Sequence, residues 1–162
     1  MLKQAKAVGF LFLLVAMAGI SIAAAEQAAG PKSLYDRLGG EPAIKAVVEE
    51  FVNLAAADPK VNFTREGTGH PWQATPDNLG RLKTRLVQFI AVSTGAKDVL
   101  YSGADMKSAH EGMEITDKQF DALAADLKTA LTKFNVPAKE QDELLAIVGT
   151  TRGMIVEKKP TE

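Results

Sequence analysis

Apolar residues recur at helical spacing along most of this chain. Between residues 42 and 57 they fall at i, i+3, i+4 and i+7 positions, and the same spacing returns in segments 75–94, 116–134 and 144–155. We find no convincing strand alternation and no internal repeat. Because residues at this spacing form one helix face that must be buried against other helices, the sequence predicts an all-α domain.

Capping residues and glycines predict where several helices begin and end. Ser33 suits the N-cap of a very short helix, which Gly39 and Gly40 stop because glycine tolerates positive φ. Thr116 followed by Gln119 has the spacing of a capping box. The sequence therefore predicts a first helix over 34–38 and a long amphipathic helix that starts near residue 116.

Two glycine-rich stretches separate the predicted helices. Residues 58–74 form a long loop that carries His70 and Trp72, and loops of this length usually have a function or are ordered by something else. Residues 95–115 have room for one or two helical turns around Met106–His110. We expect functional residues in these two connections.

The N-terminus differs from the rest of the chain. Two lysines precede an apolar run from Val8 to Ile20, and small residues up to Ala25 follow it, as in a secretory signal peptide. We therefore expect a signal peptide over 1–25, a linker over 26–32, and an exported protein, periplasmic or secreted. An uncleaved leader that anchors the chain in the membrane is the alternative, although the run is shorter than the roughly 20 residues of a membrane-spanning helix.

Charge and cysteine content exclude several classes of function. The formal net charge is -1, so no excess of basic residues predicts binding to nucleic acid. The chain has 0 cysteines, which excludes disulfides, thiolate-bound metals and haem attached through a C-x-x-C-H motif. Any cofactor must be held without thiols.

Three motifs follow one another along the chain. They are Leu34-Tyr35-Asp36-Arg37-Leu38-Gly39-Gly40, then Tyr101-x-Gly103-x-x-Met106-x-x-x-His110-x-Gly112, then Ile115-Thr116-x-x-x-Phe120 followed by Val136-Pro137. In this order they resemble the motifs of the group I truncated haemoglobins. The resemblance covers residues 33–156 and leaves 157–162 as a polar tail. It implies a two-over-two helical sandwich, in which helices B and E (42–57 and 75–94) pack on G and H, with very short helices A and F.

The resemblance implies that His110 is the proximal ligand of a non-covalent haem b. An iron in an apolar porphyrin needs an axial imidazole, and Nε2 would supply it while Nδ1–H bonds to nearby backbone or serine. A hydrogen-bonded histidine with a purely structural role is the alternative interpretation.

The family also implies a set of residues around the haem. Arg85 or Lys83 would reach a propionate through a charge-assisted hydrogen bond. The apolar lining would be Phe51, Val52, Phe63, Leu82, Leu86, Phe89, Met106, Met113, Ile115, Phe120, Leu123 and Val148. For each apolar residue, ordinary core packing without a cofactor fits the same periodicity.

Two departures from the family concern the distal side of the haem. Val52 and Leu86 stand where group I members commonly have a tyrosine and a glutamine that donate hydrogen bonds to oxygen. We therefore expect an apolar distal side and weaker oxygen retention. The loop after helix B is also longer, which leaves open that His70 and Trp72 fold over the distal face.

Three functions follow from these observations. The first is reversible binding of oxygen, carbon monoxide or nitric oxide at a haem iron. The second is a haem enzyme, a nitric oxide dioxygenase or peroxidase-like, which needs an external reductant because the chain has no G-x-G-x-x-G motif for a nicotinamide or flavin. The third is a haem-free helical interaction module.

Overall fold

The computed structural model describes residues 30–157, which form helices, turns and loops and contain no β-strand. The predicted signal peptide and residues 26–29 of the predicted linker lie outside this range, as do residues 158–162. No helix within 30–157 is both long and apolar enough to span a bilayer. The helices are α1 (Leu34–Arg37), α2 (Gly40–Ala57), α3 (Pro76–Ser93), α4 (Met106–His110), α5 (Asp117–Lys133), α6 (Ala138–Gly149) and α7 (Arg152–Ile155).

The N-terminal caps follow the sequence pattern. The Ser33 hydroxyl accepts from the Asp36 amide, and Thr116 and Gln119 form a reciprocal capping box at the start of α5. Gly39 has φ +93°, and a Cβ there would lie 2.9 Å from that of Ala43. This turn requires glycine, and it lets α2 start at Gly40, two residues before the predicted Pro42.

The four long helices pack in two layers. Helix α2 packs against both α3 and α5, and α5 packs against α6, while α1 contacts α2 and α6. Val48, Leu131 and Leu144 are each 1% exposed at the centre of the core. The pair α2 and α3 over the pair α5 and α6 is the predicted two-over-two sandwich, which is confirmed.

The last predicted helix is interrupted. The periodicity over 144–155 predicts one helix, but α6 ends at Gly149 and α7 begins at Arg152. The hydroxyls of Thr150 and Thr151 donate to the carbonyls of Ile147 and Val148. These carbonyls at the end of α6 thus have side-chain donors in addition to the backbone amides of a regular helix. The break lets α7 pack against α4, next to His110.

Candidate functional site

His110 is the last residue of α4 and has one ring nitrogen fixed by the backbone. Its Nδ1 lies 2.7 Å from the carbonyl oxygen of Met106, one helical turn earlier. A carbonyl can only accept, so Nδ1 carries a proton, and in the neutral ring Nε2 keeps its lone pair. No described residue forms a hydrogen bond with Nε2, and the side chain is half-buried. The imidazole is thus held in the tautomer that can bind a metal through Nε2.

Helix α4 begins at a side-chain cap. The Asp105 carboxylate accepts from the Ser108 amide at 3.0 Å. Hydrogen bonding from Ser108 lowers the pKa of Asp105, so the cap is a carboxylate at neutral pH. This cap helps to define a helix of only five residues (Met106–His110), which is too short to be stable alone.

The connection from α3 to α4 is fixed by two contacts with α3. The Tyr101 ring packs edge-on against Phe89, with centroids 6.2 Å apart, and Gln88 Oε1 accepts from the amide and hydroxyl of Ser102. A Cβ at Gly103 would overlap the Tyr101 ring. The Tyr101-x-Gly103 motif therefore places the chain against α3 just before α4 begins.

Residues 111–115 follow His110, and we call them the proximal turn. Gly112 has φ +75° and Glu114 has φ +53°. The Glu157 carboxylate accepts from the Gly112 amide at 2.7 Å and from the Glu114 amide at 2.8 Å. These two bonds lower the pKa of Glu157, that with Gly112 the most.

Arg65, from the loop between α2 and α3, binds the other side of the proximal turn. Its guanidinium donates to Gln119 Oε1 at 3.2 Å and contacts the Met113 carbonyl oxygen at 3.4 Å. It also donates to the carbonyls of Val61 and Asn62. Arg65 is 5% exposed, and this burial lowers its pKa. The buried cation joins the loop to the start of α5.

The same loop carries the aromatic residues noted in the sequence. Phe63 and Trp72 pack edge-on with centroids 5.3 Å apart, and the Trp72 amide donates to the Thr64 carbonyl. The His70 ring is exposed and lies against Gly112. This contact puts His70 beside the proximal turn, whereas the sequence left open that it covers the distal face.

The predicted lining residues lie on several elements and differ in burial. Phe51 and Val52 on α2 and Phe120 on α5 are buried. The others are half-buried: Phe63, Leu82, Leu86, Phe89, Met106, Met113, Ile115, Leu123 and Val148. On α3, residues 82, 86 and 89 share one face at helical spacing.

Only one of the two cations considered for a propionate lacks an ion pair among the described residues. Lys83 Nζ lies 2.6 Å from Glu49 Oε1 on α2. Arg85 is exposed on α3 and has no salt bridge within residues 30–157. Arg85 is therefore the better candidate of the two.

Sequence reasoning missed Arg65 and Glu157. An arginine among Thr64, Glu66 and Gly67 has the sequence context of a surface residue, and Glu157 is the first residue of the polar tail. Both form hydrogen bonds with backbone groups of the proximal turn. Their partners lie more than 40 positions away in the sequence, where helical or strand spacing predicts no contact.

The donor set fits a haem. One imidazole with Nδ1 fixed and Nε2 free meets the need for an axial ligand. Large half-buried apolar side chains on α3, α5 and α6 would provide the apolar environment that the porphyrin ring needs, and Arg85 would provide a cation for a propionate.

The chain is similar to truncated hemoglobins over most of its length. The bacterial-like globin family matches residues 33–157. A group 1 truncated hemoglobin of Mycolicibacterium paratuberculosis is 37% identical over 120 residues, which are 74% of this chain and 81% of that protein. A group 1 truncated hemoglobin of a Nostoc species is 30% identical, over 78% of this chain and 98% of that protein.

Solved structures give the same result. The truncated hemoglobin of Tetrahymena pyriformis in its Fe(III) form superposes with a TM-score of 0.67 at 26% identity, covering 78% of this chain and 100% of that one. The 2/2 hemoglobin of a Synechococcus species, with covalently attached heme, gives a TM-score of 0.64 at 30% identity with the same coverage. The predicted truncated-globin fold and haem cofactor are confirmed. The chain belongs to the bacterial-like globin family.

Proposed function

We propose that this protein binds a non-covalent haem b through His110 and reversibly binds a diatomic gas at the iron. The observation that carries the proposal is the 2.7 Å bond between His110 Nδ1 and the Met106 carbonyl, because it leaves Nε2 as a lone-pair donor. The globin family to which the chain belongs has gas binding as its general function.

The haem supplies the iron that binds the gas. Different residues of this chain would bind the iron, exclude water and neutralise the propionates. His110 would provide the proximal bond, and the apolar residues on α3 and α5 would exclude water. Arg85 would neutralise a propionate. Val52, which is 2% exposed, and Leu86 would offer no hydrogen bond on the distal side.

Substitution of the proximal ligand tests the proposal. Reconstituted wild-type protein should show a Soret band, which shifts when carbon monoxide is added to the ferrous form. His110→Ala should lose haem on desalting, and imidazole added to the buffer should restore part of the binding. His70→Ala is the matched control and should keep the wild-type spectrum. A His110→Ala variant that retains haem with the wild-type spectrum contradicts the assignment.

Gas binding in the ferrous state requires an electron source. The chain has no nicotinamide or flavin motif, so we propose that a separate reductant keeps the iron ferrous. Slow reduction of the ferric protein by nicotinamide cofactor alone, and fast reduction once a ferredoxin–reductase pair is added, would support this. Fast reduction by the nicotinamide cofactor alone would contradict it.

We also propose that the protein is exported. The support is the pattern of lysines, apolar run and small residues over 1–25, which lies outside the described residues. Export predicts a mature N-terminus at Glu26 in a periplasmic or culture-medium fraction. A chain that keeps residues 1–25 and sediments with membranes would favour the anchored alternative.

A further inference from the structure

Glu157, at the C-terminal end of the described chain, forms three hydrogen bonds with backbone groups of the proximal turn. The Glu157 carboxylate accepts from the amides of Gly112 and Glu114. The Glu157 amide donates to the Ile115 carbonyl at 2.9 Å. One residue thus binds three positions within the five residues that follow His110.

The proximal turn needs such external partners. Glu111, the residue after α4, has φ −57° and ψ 131°, so the chain leaves the helical path there, and the amides of Gly112 and Glu114 donate to the Glu157 carboxylate. The local bond, from the Met113 amide to the His110 carbonyl, is 3.1 Å long and closes one turn. The direction in which α4 ends, and with it the direction of the His110 side chain, therefore depends on contacts from outside the segment.

Glu157 has firm support from α5 and α7. Arg152, the first residue of α7, donates to Asp117 at 2.9 Å and to Asp121, and its guanidinium lies 4.4 Å from the centroid of the Phe120 ring. The Val156 amide donates to the Arg152 carbonyl at the end of α7. Because α7 also packs against α4, Glu157 is fixed relative to the helix that carries His110.

We propose that Glu157 is a positioning residue for the proximal ligand: its carboxylate holds the proximal turn so that His110 Nε2 keeps one direction and distance toward the haem iron. This inference rests on the proposed function of His110. Glu157 acts through the backbone of Gly112 and Glu114, while Arg65 holds the Met113 side of the same turn. The C-terminal segment is then part of the haem site, although it is remote from His110 in sequence.

Variants at Glu157 test this in the haem-loaded full chain. Glu157→Ala removes both acceptor oxygens, and Glu157→Gln keeps one of them. Asp142→Asn is the control, because Asp142 is an exposed carboxylate on α6, outside both α4 and the proximal turn. The readouts are the iron–histidine stretching band in the resonance Raman spectrum, the rate of haem transfer to excess apomyoglobin, and amide exchange at residues 112 and 114 in the haem-free protein.

We expect Glu157→Ala to shift or broaden the iron–histidine band and to speed haem loss about three- to tenfold, as expected when charge-assisted bonds are lost. Glu157→Gln should show a smaller effect, and Asp142→Asn should match the wild type. Faster amide exchange at Gly112 and Glu114 should accompany the change.

A folded Glu157→Ala protein with the wild-type band and rate overturns the inference. Should that variant fail to fold, the Glu157→Gln variant is the test, and a band and rate equal to those of Asp142→Asn overturn the inference. Absence of an iron–histidine band from the wild type would instead refute the proposed function of His110.

Discussion

The guanidinium of Arg65 lies 3.2 Å from Gln119 Oε1, so a buried cation in the loop between α2 and α3 bonds to the capping box of α5. The same Gln119 oxygen accepts from the Thr116 amide. The long loop is thereby ordered by contact with α5, the helix that follows the proximal turn. Its stability and that of the proximal turn should change together.

Removal of this cation should be strongly destabilising. Arg65→Met leaves the carbonyls of Val61 and Asn62 without this donor in a buried place, and we expect the free energy of unfolding to fall by about 2–4 kcal/mol. Urea denaturation followed by circular dichroism measures it. Arg81→Met, at an exposed position on α3, is the control and should change stability by less than about 0.5 kcal/mol. Equal losses in the two variants would contradict the role of Arg65.

A hydrogen-bond donor at position 86 should slow oxygen release. Leu86 is half-buried on α3, so Leu86→Gln places an amide there without overfilling a closed core. A bond worth about 1.5–3 kcal/mol slows oxygen dissociation about tenfold or more, and carbon monoxide should respond less. Stopped-flow dissociation rates measure both gases. Val92→Gln, at a 41% exposed position on the same helix, should leave both rates unchanged. An oxygen rate in Leu86→Gln equal to that of Val92→Gln would mean that residue 86 does not face the gas.

Asp126 should make stability fall as the pH rises. Burial raises the pKa of this carboxyl, nearby Asp58 raises it further, and Lys60 opposes them, while Oδ2 is buried with no partner among the described residues. A raised folded-state pKa favours the folded protein below the unfolded value of about 3.9, and this advantage is lost as the pH rises through the folded value.

The substitution Asp126→Asn should therefore stabilise the protein at pH 7, by up to about 1 kcal/mol, and have little effect near pH 3. Urea midpoints at the two pH values measure the difference. Asp142→Asn, at an exposed position on α6, should show no such dependence. A stabilisation by Asp126→Asn that is the same at both pH values would remove ionisation as its cause.

Gly112 should not tolerate a side chain. Its φ of +75° disfavours any L-residue, and a Cβ there would lie 2.7 Å from Cδ2 of His70. Gly112→Ala should therefore cost about 1–2 kcal/mol from the backbone, with a steric cost in addition. In the double variant with His70→Ala the steric part should vanish and the backbone part remain.

Gly80→Ala is the control for this prediction, because we expect it to raise stability where Gly112→Ala lowers it. A Cβ at Gly80 on α3 meets nothing within 4 Å, so this change should stabilise the protein by about 0.5–1 kcal/mol. Thermal unfolding of the haem-free proteins compares the wild type with Gly112→Ala, His70→Ala, the double variant and Gly80→Ala. If Gly112→Ala lowers stability equally with and without the His70 ring, the ring moves aside and adds no steric cost.

The helices and their caps could be predicted from sequence because each depends on local pattern. The apolar face of α2, the cap at Ser33 and the capping box of Thr116 and Gln119 involve residues within one or two turns of each other. His110 could be singled out as a candidate because its motif is local as well. The break between α6 and α7 was missed because the hydroxyls of Thr150 and Thr151 compete with the helical ladder without disturbing the apolar periodicity.

The supports of the site could not be predicted because they join distant parts of the chain. Glu157 meets Gly112 across 45 positions, and Arg65 meets Met113 across 48. Polar side chains that bind backbone groups produce no periodic pattern in the sequence, because every residue offers the same backbone carbonyl and almost every residue the same amide. The fold and the candidate ligand are thus apparent in the sequence, whereas the contacts that hold the proximal turn require the structure.

The chain contains 2 histidines, and both lie at the same corner, since His110 directly precedes the proximal turn and the His70 ring packs on Gly112 within it. A proton NMR spectrum restricted to imidazole resonances would then contain two sets of signals, and both would report on one small region of the molecule. Haem uptake, gas exchange or damage at that corner becomes observable without isotopic labelling or any introduced probe.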